Sequence, residues 1–162
     1  MATTYTPIAT TTLGSNQNAV TFSSISGSYT DLIMVINGYN TAGGYYYLRV
    51  GNGSVDTGNN YSRTRLAGDG STAYSDRQTN TSYVQLSIGT SANGNTIINL
   101  NNYANTSTYK TILSRYNFTT GEAAAVVGLW RSTSAINTVS VIGGGGDWVA
   151  GSTFTLYGIK AA

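Results

Sequence analysis

Along this chain apolar and polar residues alternate with a period of two, the pattern of strands that bury one face. Turn-forming residues break the alternation at intervals of roughly ten to twenty positions. The cleanest case is SYVQLSIG, which sets Val84, Leu86 and Ile88 against Tyr83, Gln85 and Ser87. YYYLRVG puts Tyr45, Tyr47 and Arg49 on one side and Tyr46, Leu48 and Val50 on the other. YSRTRLAG gives Tyr61, Arg63 and Arg65 one parity, and TYKTILSRY sets Tyr109, Thr111, Leu113 and Arg115 against Lys110, Ile112 and Ser114. AVTFSSI offers Val20, Phe22 and Ile25 to a core, and NTIINLNNY offers Ile98 and Leu100. DLIMVING, Asp31 to Gly38, is apolar almost throughout, which predicts a central strand covered on both faces. A helix competes only for AAAVVGLWRS, where Gly128 and the β-branched Val126 and Val127 disfavour it. INTVSVIGG and STFTLYGIK close the chain as two short strands, read as a terminal pair joined by a long loop. Val139, Val141, Phe154 and Leu156 are their expected core anchors.

No strand–helix–strand alternation is present, which disfavours a parallel α/β sheet. The expectation is one all-β domain over 13–162, an antiparallel β-sandwich or closed barrel. The Thr-rich stretch 1–12 is predicted to be an extended N-terminal arm or an edge strand, a place where Pro7 is tolerated.

Composition narrows the chemistry. The 162 residues suffice for one domain, and 40% hydrophobic residues supply its core. Charged residues are only 9%, against about 25% in a typical soluble domain. The surface must therefore be covered by Ser, Thr and Asn, which together exceed a third of the chain. A net charge of +2 gives no electrostatic footprint for nucleic acid. No apolar run reaches the length of a membrane-spanning helix, and the opening MATTYTPI lacks the basic and apolar regions of a signal peptide. There is no cysteine, hence no disulfide, and no histidine. The missing histidine removes Ser-His-Asp triads, Cys-His pairs and most zinc sites. No cofactor and no metal is expected, and the chain is not expected to be an enzyme.

Several stretches still carry candidate chemistry. A retaining glycosidase needs only two carboxylates, and the acids are Asp31, Asp56, Asp69, Asp76, Glu122 and Asp147. Most stand beside Gly, Ser or Asn, where a short acid hydrogen-bonds its own turn. GNGSVDTGNN, Gly51 to Asn60, offers oxygen ligands for calcium but lacks dense carboxylates; a hairpin or Ω-like loop explains the same residues. Gly143 to Gly146 lack the Lys-Ser/Thr and helix that a phosphate loop requires, so they read as a turn in which Gly supplies positive φ. Six arginines outnumber two lysines. Arg49, Arg63, Arg65, Arg115 and Arg131 lie at strand-like positions and are candidates for contact with a protein partner or sister subunit; surface solubility is the plainer account. The 13 tyrosines fit a rim, a subunit interface or a sugar platform, with Tyr45 and Tyr47 as the foremost contact candidates.

Five stretches, SSISGSYTDLIMVING, LRVGNGSVDTGNNYS, NNYANTSTYKTILSR, VVGLWRSTSAINTVSV and AGSTFTLYGIKAA, resemble small virion structural proteins of tailed bacteriophages, including phages of cyanobacteria. The resemblance runs from about Ala9 to the C-terminus and is similar in kind to C-terminal domains of phage tail and fibre proteins. It implies a β-sandwich of jelly-roll type on the virion. A chain of this length beginning at Met1 fits a head decoration (cement) protein, which would bind the major capsid protein on the head exterior as a homotrimer. The alternative it implies is a tail- or fibre-associated module that recognises a host surface glycan. Neither nucleic acid nor a membrane is an expected partner, and the resemblance assigns no individual functional residue.

Overall fold

A computed structural model describes residues 4–42, 45–87, 94–118 and 121–160. In chain order its strands are β1 (Tyr5–Thr12), β2 (Ala19–Phe22), β3 (Asp31–Gly38), β4 (Tyr46–Asn52), β5 (Ser54–Val55), β6 (Tyr61–Gly68) and β7 (Ala73–Thr81). They continue as β8 (Val84–Ser87), β9 (Gly94–Asn101), β10 (Lys110–Phe118), β11 (Ala123–Trp130), β12 (Thr138–Gly143) and β13 (Thr153–Ile159). No helix occurs among the described residues, and AAAVVGLW is strand β11. Eight strands form one sheet in the order β1-β13-β3-β9-β10-β11-β6-β7; a smaller sheet has the order β2-β12-β4-β5, with β8 also pairing β4. All the pairings are antiparallel.

The two sheets pack face to face as a jelly-roll-like β-sandwich. Period-two alternation decides what goes between them. The larger sheet contributes Phe154, Leu156, Leu32, Met34, Ile36, Ile98, Leu100, Ile112 and Val126; the smaller contributes Val20, Phe22, Leu48, Val50, Val84, Leu86, Val139 and Val141. All four expected C-terminal anchors are fully buried. The expected position Ile88 lies outside the described residues. Trp148, which the pattern did not single out, is at the centre: it lies 4.9 Å from Tyr46 and 5.0 Å edge-on from Phe154, ring to ring.

Three expectations need correction. β12 and β13 are not a pair: β12 lies in the smaller sheet between β2 and β4, and β13 in the larger between β1 and β3. The segment between them crosses from sheet to sheet, with Trp148 as an isolated bridge to Gln17 and Asn40. β3 is central, yet within the chain it is covered on one face only. Leu32, Met34 and Ile36 are buried, while Ile33 and Val35 on the other face are half-buried. Of the two expectations for the N-terminal stretch, the edge strand holds from Tyr5 onward: it pairs with β13, with a register shift between Pro7 and Ala9. Finally, of the glycine run only Gly145 needs positive φ, at 89°. The others are needed for room: a Cβ on Gly143 would lie 2.2 Å from the Gly146 carbonyl oxygen, and one on Gly144 would lie 2.5 Å from the Tyr47 ring.

Candidate functional site

The expected contact residues do not form one patch. Arg63 and Arg65 share a face, as their parity requires, but it is the inner face of β6, and both are only 3% exposed. This corrects their reading as partner-contact residues. Parity says which side chains point together; it does not say which direction is inward. They are stable there because acids reach them. Arg63 Nη2 lies 2.7 Å from Asp76 Oδ2, Arg65 Nε 2.7 Å from Asp76 Oδ1, and Arg65 Nη1 3.0 Å from Glu122 Oε1. Tyr116 donates its hydroxyl to Glu122 Oε1 at 2.5 Å, Tyr74 donates to Glu122 Oε2, and the Arg65 guanidinium sits 5.0 Å from the Tyr74 ring centre. Partial burial opposes ionisation of Asp76, but the hydrogen bonds and charges of Arg65 and Arg63 outweigh it and hold the carboxyl below its usual range. Burial lowers the Arg65 pKa, yet its hydrogen bonds to Tyr116 and Asp76 more than reverse that, so it stays charged. A half-satisfied network of this kind would be costly; the acids make it tenable.

Three of the remaining acids, Asp56, Asp69 and Asp31, have structural partners of their own. Asp56 accepts hydrogen bonds from Trp130 Nε1 at 2.8 Å, Asn60 Nδ2 at 2.9 Å and the Gly58 N–H at 2.7 Å. The Gly51–Asn60 loop thus uses its carboxylate to close itself onto β11. Asp69 accepts from the N–H groups of Ser71 and Thr72, and Asp31 from that of Asn102. Among the described residues no group of three or more acids is placed to hold a metal ion.

Arg63 also borders a groove of about 310 Å³ at the side of the sandwich, where the smaller sheet ends at β8 and β7 extends beyond it. Tyr45, Tyr47 and Tyr83 give it aromatic surface; Asp76, Gln78 and Gln85 give it polar groups. The rings of Tyr47 and Tyr83 stack with centres 4.0 Å apart at 29°. Gly144 makes room for Tyr47, and the Gly144 N–H donates to the Tyr45 carbonyl at 2.6 Å. The groove floor is held by Arg63, which donates from Nε to Gln78 Oε1 at 3.2 Å and from Nη2 to Gln85 Oε1 at 3.4 Å. Gln78 Nε2 donates to Gln85 Oε1 at 2.9 Å. The second amino nitrogen of Arg63, Nη1, is buried and has no hydrogen-bond partner among the described residues. The sequence pointed to Tyr45, Tyr47 and Arg63 one by one. Tyr83, Asp76, Gln78 and Gln85 were missed, because only the β6–β7 and β4–β8 pairings bring them there. A larger open groove of about 760 Å³ runs past Asn37, Gly38, Tyr39 and Ser152, but its lining holds no charged side chain.

The other expected contacts lie apart from the groove. Arg49 donates to the Ser82 carbonyl at 2.9 Å on the outer face of the smaller sheet. Arg131 donates to the Asn59 carbonyl at 2.7 Å and to Asn80 Oδ1 at 3.0 Å. Arg115 is exposed on the outer face of the larger sheet. That face is ordered by its strand registers into rows. One runs Pro7, Tyr157, Ile33, Asn99, Leu113, Val127, Thr64, Arg77 from β1 to β7; the next runs Thr10, Thr155, Val35, Ile97, Arg115, Ala125, Leu66, Ser75. Each row holds a single charged side chain. Leu66, Leu113 and Val127 are 62%, 41% and 50% exposed.

No family model matches this chain, and no curated protein does. Among solved structures it is similar to the exo-inulinase of Aspergillus awamori, with TM-score 0.50 and 11% identity. That match covers 96% of this chain and 29% of the inulinase, so the chain spans less than a third of that enzyme's length. A toad ovary galectin in complex with thio-digalactose matches with TM-score 0.41 and 8% identity over 85% of this chain and 98% of its own. The CBM40 of Ruminococcus gnavus IT-sialidase, bound to α2,3-sialyllactose, matches with TM-score 0.40 and 12% identity over 97% and 95%. At such identities the likeness concerns the fold alone: this chain is an all-β, antiparallel sandwich of jelly-roll type.

Proposed function

We propose that this chain is a non-catalytic structural protein of a tailed-bacteriophage virion, a head decoration protein that docks on the major capsid protein and bridges neighbouring capsid subunits. The observation that carries this reading is the outer face of the eight-stranded sheet. Leu113 and Val127 stand directly opposite each other on β10 and β11, and Leu66 is one row away beside Ala125, all three exposed. Contiguous apolar surface of this kind marks an interaction face. β3 supports the same reading: its sequence calls for cover on both faces, and Ile33 and Val35 lack half of theirs within the chain. The resemblance to virion proteins supplies the identity of the partner. Binding only the assembled lattice shifts assembly toward it, and a trimer adds avidity without a tight single contact. The pairing of Asp76 and Glu122 with Arg65 supports a non-catalytic reading, because a general acid requires a raised pKa and Asp76 is held low. The test is copy number in purified virions together with a double variant, Leu113→Glu with Val127→Glu. A copy number that follows the capsid lattice is expected, with the variant folded but absent from the head. A handful of copies at the tail, or undiminished binding by the variant, would sink the proposal.

A second reading is favoured by a separate observation, the tyrosine-walled groove. In it the chain is a tail- or fibre-associated module that recognises a host surface glycan.

A further inference from the structure

We infer that the groove between β4, β7 and β8 binds a neutral pyranose sugar, with Tyr83 and Tyr45 as apolar surface and Asp76 and Gln78, positioned by Arg63, as its hydrogen-bonding floor. This rests on the second reading above and names its ligand class. A pyranose presents an apolar C–H face and a rim of hydroxyls, each both donor and acceptor. The groove answers both. Its aromatic surface is already ordered: Tyr47 is fixed between Gly144 and the stacked ring of Tyr83, and Tyr45 is 44% exposed at the rim. Its floor combines an acceptor, the Asp76 carboxylate with 38% of its side chain exposed, and the Gln78 amide, both held in place by the buried Arg63.

Charge selects a neutral ligand. Arg63 and Arg65 are matched by Asp76 and Glu122, so the floor has no net charge to attract an anion. An acidic sugar's carboxylate would also meet Asp76 at close range. At about 310 Å³ the groove is at the lower end of ligand pockets, the size for one or two sugar rings. It opens on the inner side of β6 and β7, whereas Leu113, Val127 and Leu66 face outward. A copy docked through the outer face therefore keeps the groove free, and both surfaces are usable on one particle.

The test is saturation-transfer NMR and titration of the full chain with methyl glucoside, methyl galactoside and methyl mannoside, and in parallel with glucuronate and N-acetylneuraminate. At least one neutral glycoside should saturate. Tyr83→Ala should weaken it about tenfold, the effect of losing one good aromatic contact. Arg63→Lys, which keeps the charge beside Asp76 but gives up the forked hold on Asp76 and Gln78, should do the same. Tyr45→Ala, at the exposed rim, provides a variant that leaves the fold intact. Binding of the acidic sugars alone would overturn the neutral ligand class while leaving glycan recognition standing. No binding in either panel would overturn both. Neutral binding unchanged in Tyr83→Ala, Arg63→Lys and Tyr45→Ala would place the sugar elsewhere and overturn the groove.

Discussion

Single residues carry unequal weight in this sandwich. Phe154 has no exposed surface and meets Trp148 edge-on, so Phe154→Ala leaves a cavity at the centre of the core. A loss of about 3–5 kcal/mol is expected in denaturant unfolding; a variant as stable as the parent would mean the core lies elsewhere. Asp76 acts through charge. Its folded pKa lies below its unfolded value, so its contribution is complete above the unfolded value near 4 and is lost as pH falls through the lower folded value. The stability gap between parent and Asp76→Asn should therefore be widest at neutral pH and shrink on acidification toward about pH 2. A gap constant over that range would show that the ion pairs with Arg63 and Arg65 add nothing. Lys110 is buried with no acid beside it among the described residues; its ammonium donates to the Thr108 and Thr133 carbonyls at 2.8 and 3.2 Å, and burial lowers its pKa.

At the scale of elements, the glycine-rich turn after β12 is a spacer that serves the tyrosines. Its tight path needs positive φ at Gly145, and its second glycine gives the Tyr47 ring its place. Gly144→Ala puts a methyl within 2.6 Å of three Tyr47 ring and hydroxyl atoms, at the free end of a side chain that can swing away. The expected result is a modest loss of stability, about 1 kcal/mol, the size of a lost aromatic stack. The near-UV circular dichroism of the tyrosines should change with it; an unchanged spectrum would show that the stack does not depend on the turn. Gly128 does comparable work between the sheets, since a Cβ there would lie 2.8 Å from a Val84 methyl and push β8 off β11. In the sequence Gly128 shows only as a residue that disfavours a helix; its packing role appears only with the opposite sheet in place.

For the whole molecule, two sheets divide the labour. The smaller sheet and the inner face of the larger make the core, and the larger sheet's outer face is left open with exposed leucine and valine near its middle. Edge strands are managed by means that discourage pairing with other chains. β1 carries Pro7 at an irregular register, and β7 carries Asp76 and Arg77. The proposed docking through the outer sheet and the proposed sugar binding in the side groove make independent demands on the molecule. The Leu113→Glu, Val127→Glu protein should therefore keep whatever sugar affinity the parent has.

The amino-acid pattern alone marked most of the strands and many of their inward anchors, though not β5, β7 or Trp148, because a period of two is a local property that each segment states for itself. It also excluded histidine- and cysteine-based chemistry, which is a matter of composition. Only the tertiary structure decided which parity faces inward where both are polar, as for Arg63 and Arg65. That depends on Asp76 and Glu122 arriving from β7 and from the residue just before β11. It likewise decided that β12 and β13 part company into different sheets, and that Tyr45, Tyr47 and Tyr83 meet in one groove. Strand pairing is a long-range choice among many similar strands, and its outcome rests on how the whole core packs rather than on any one stretch.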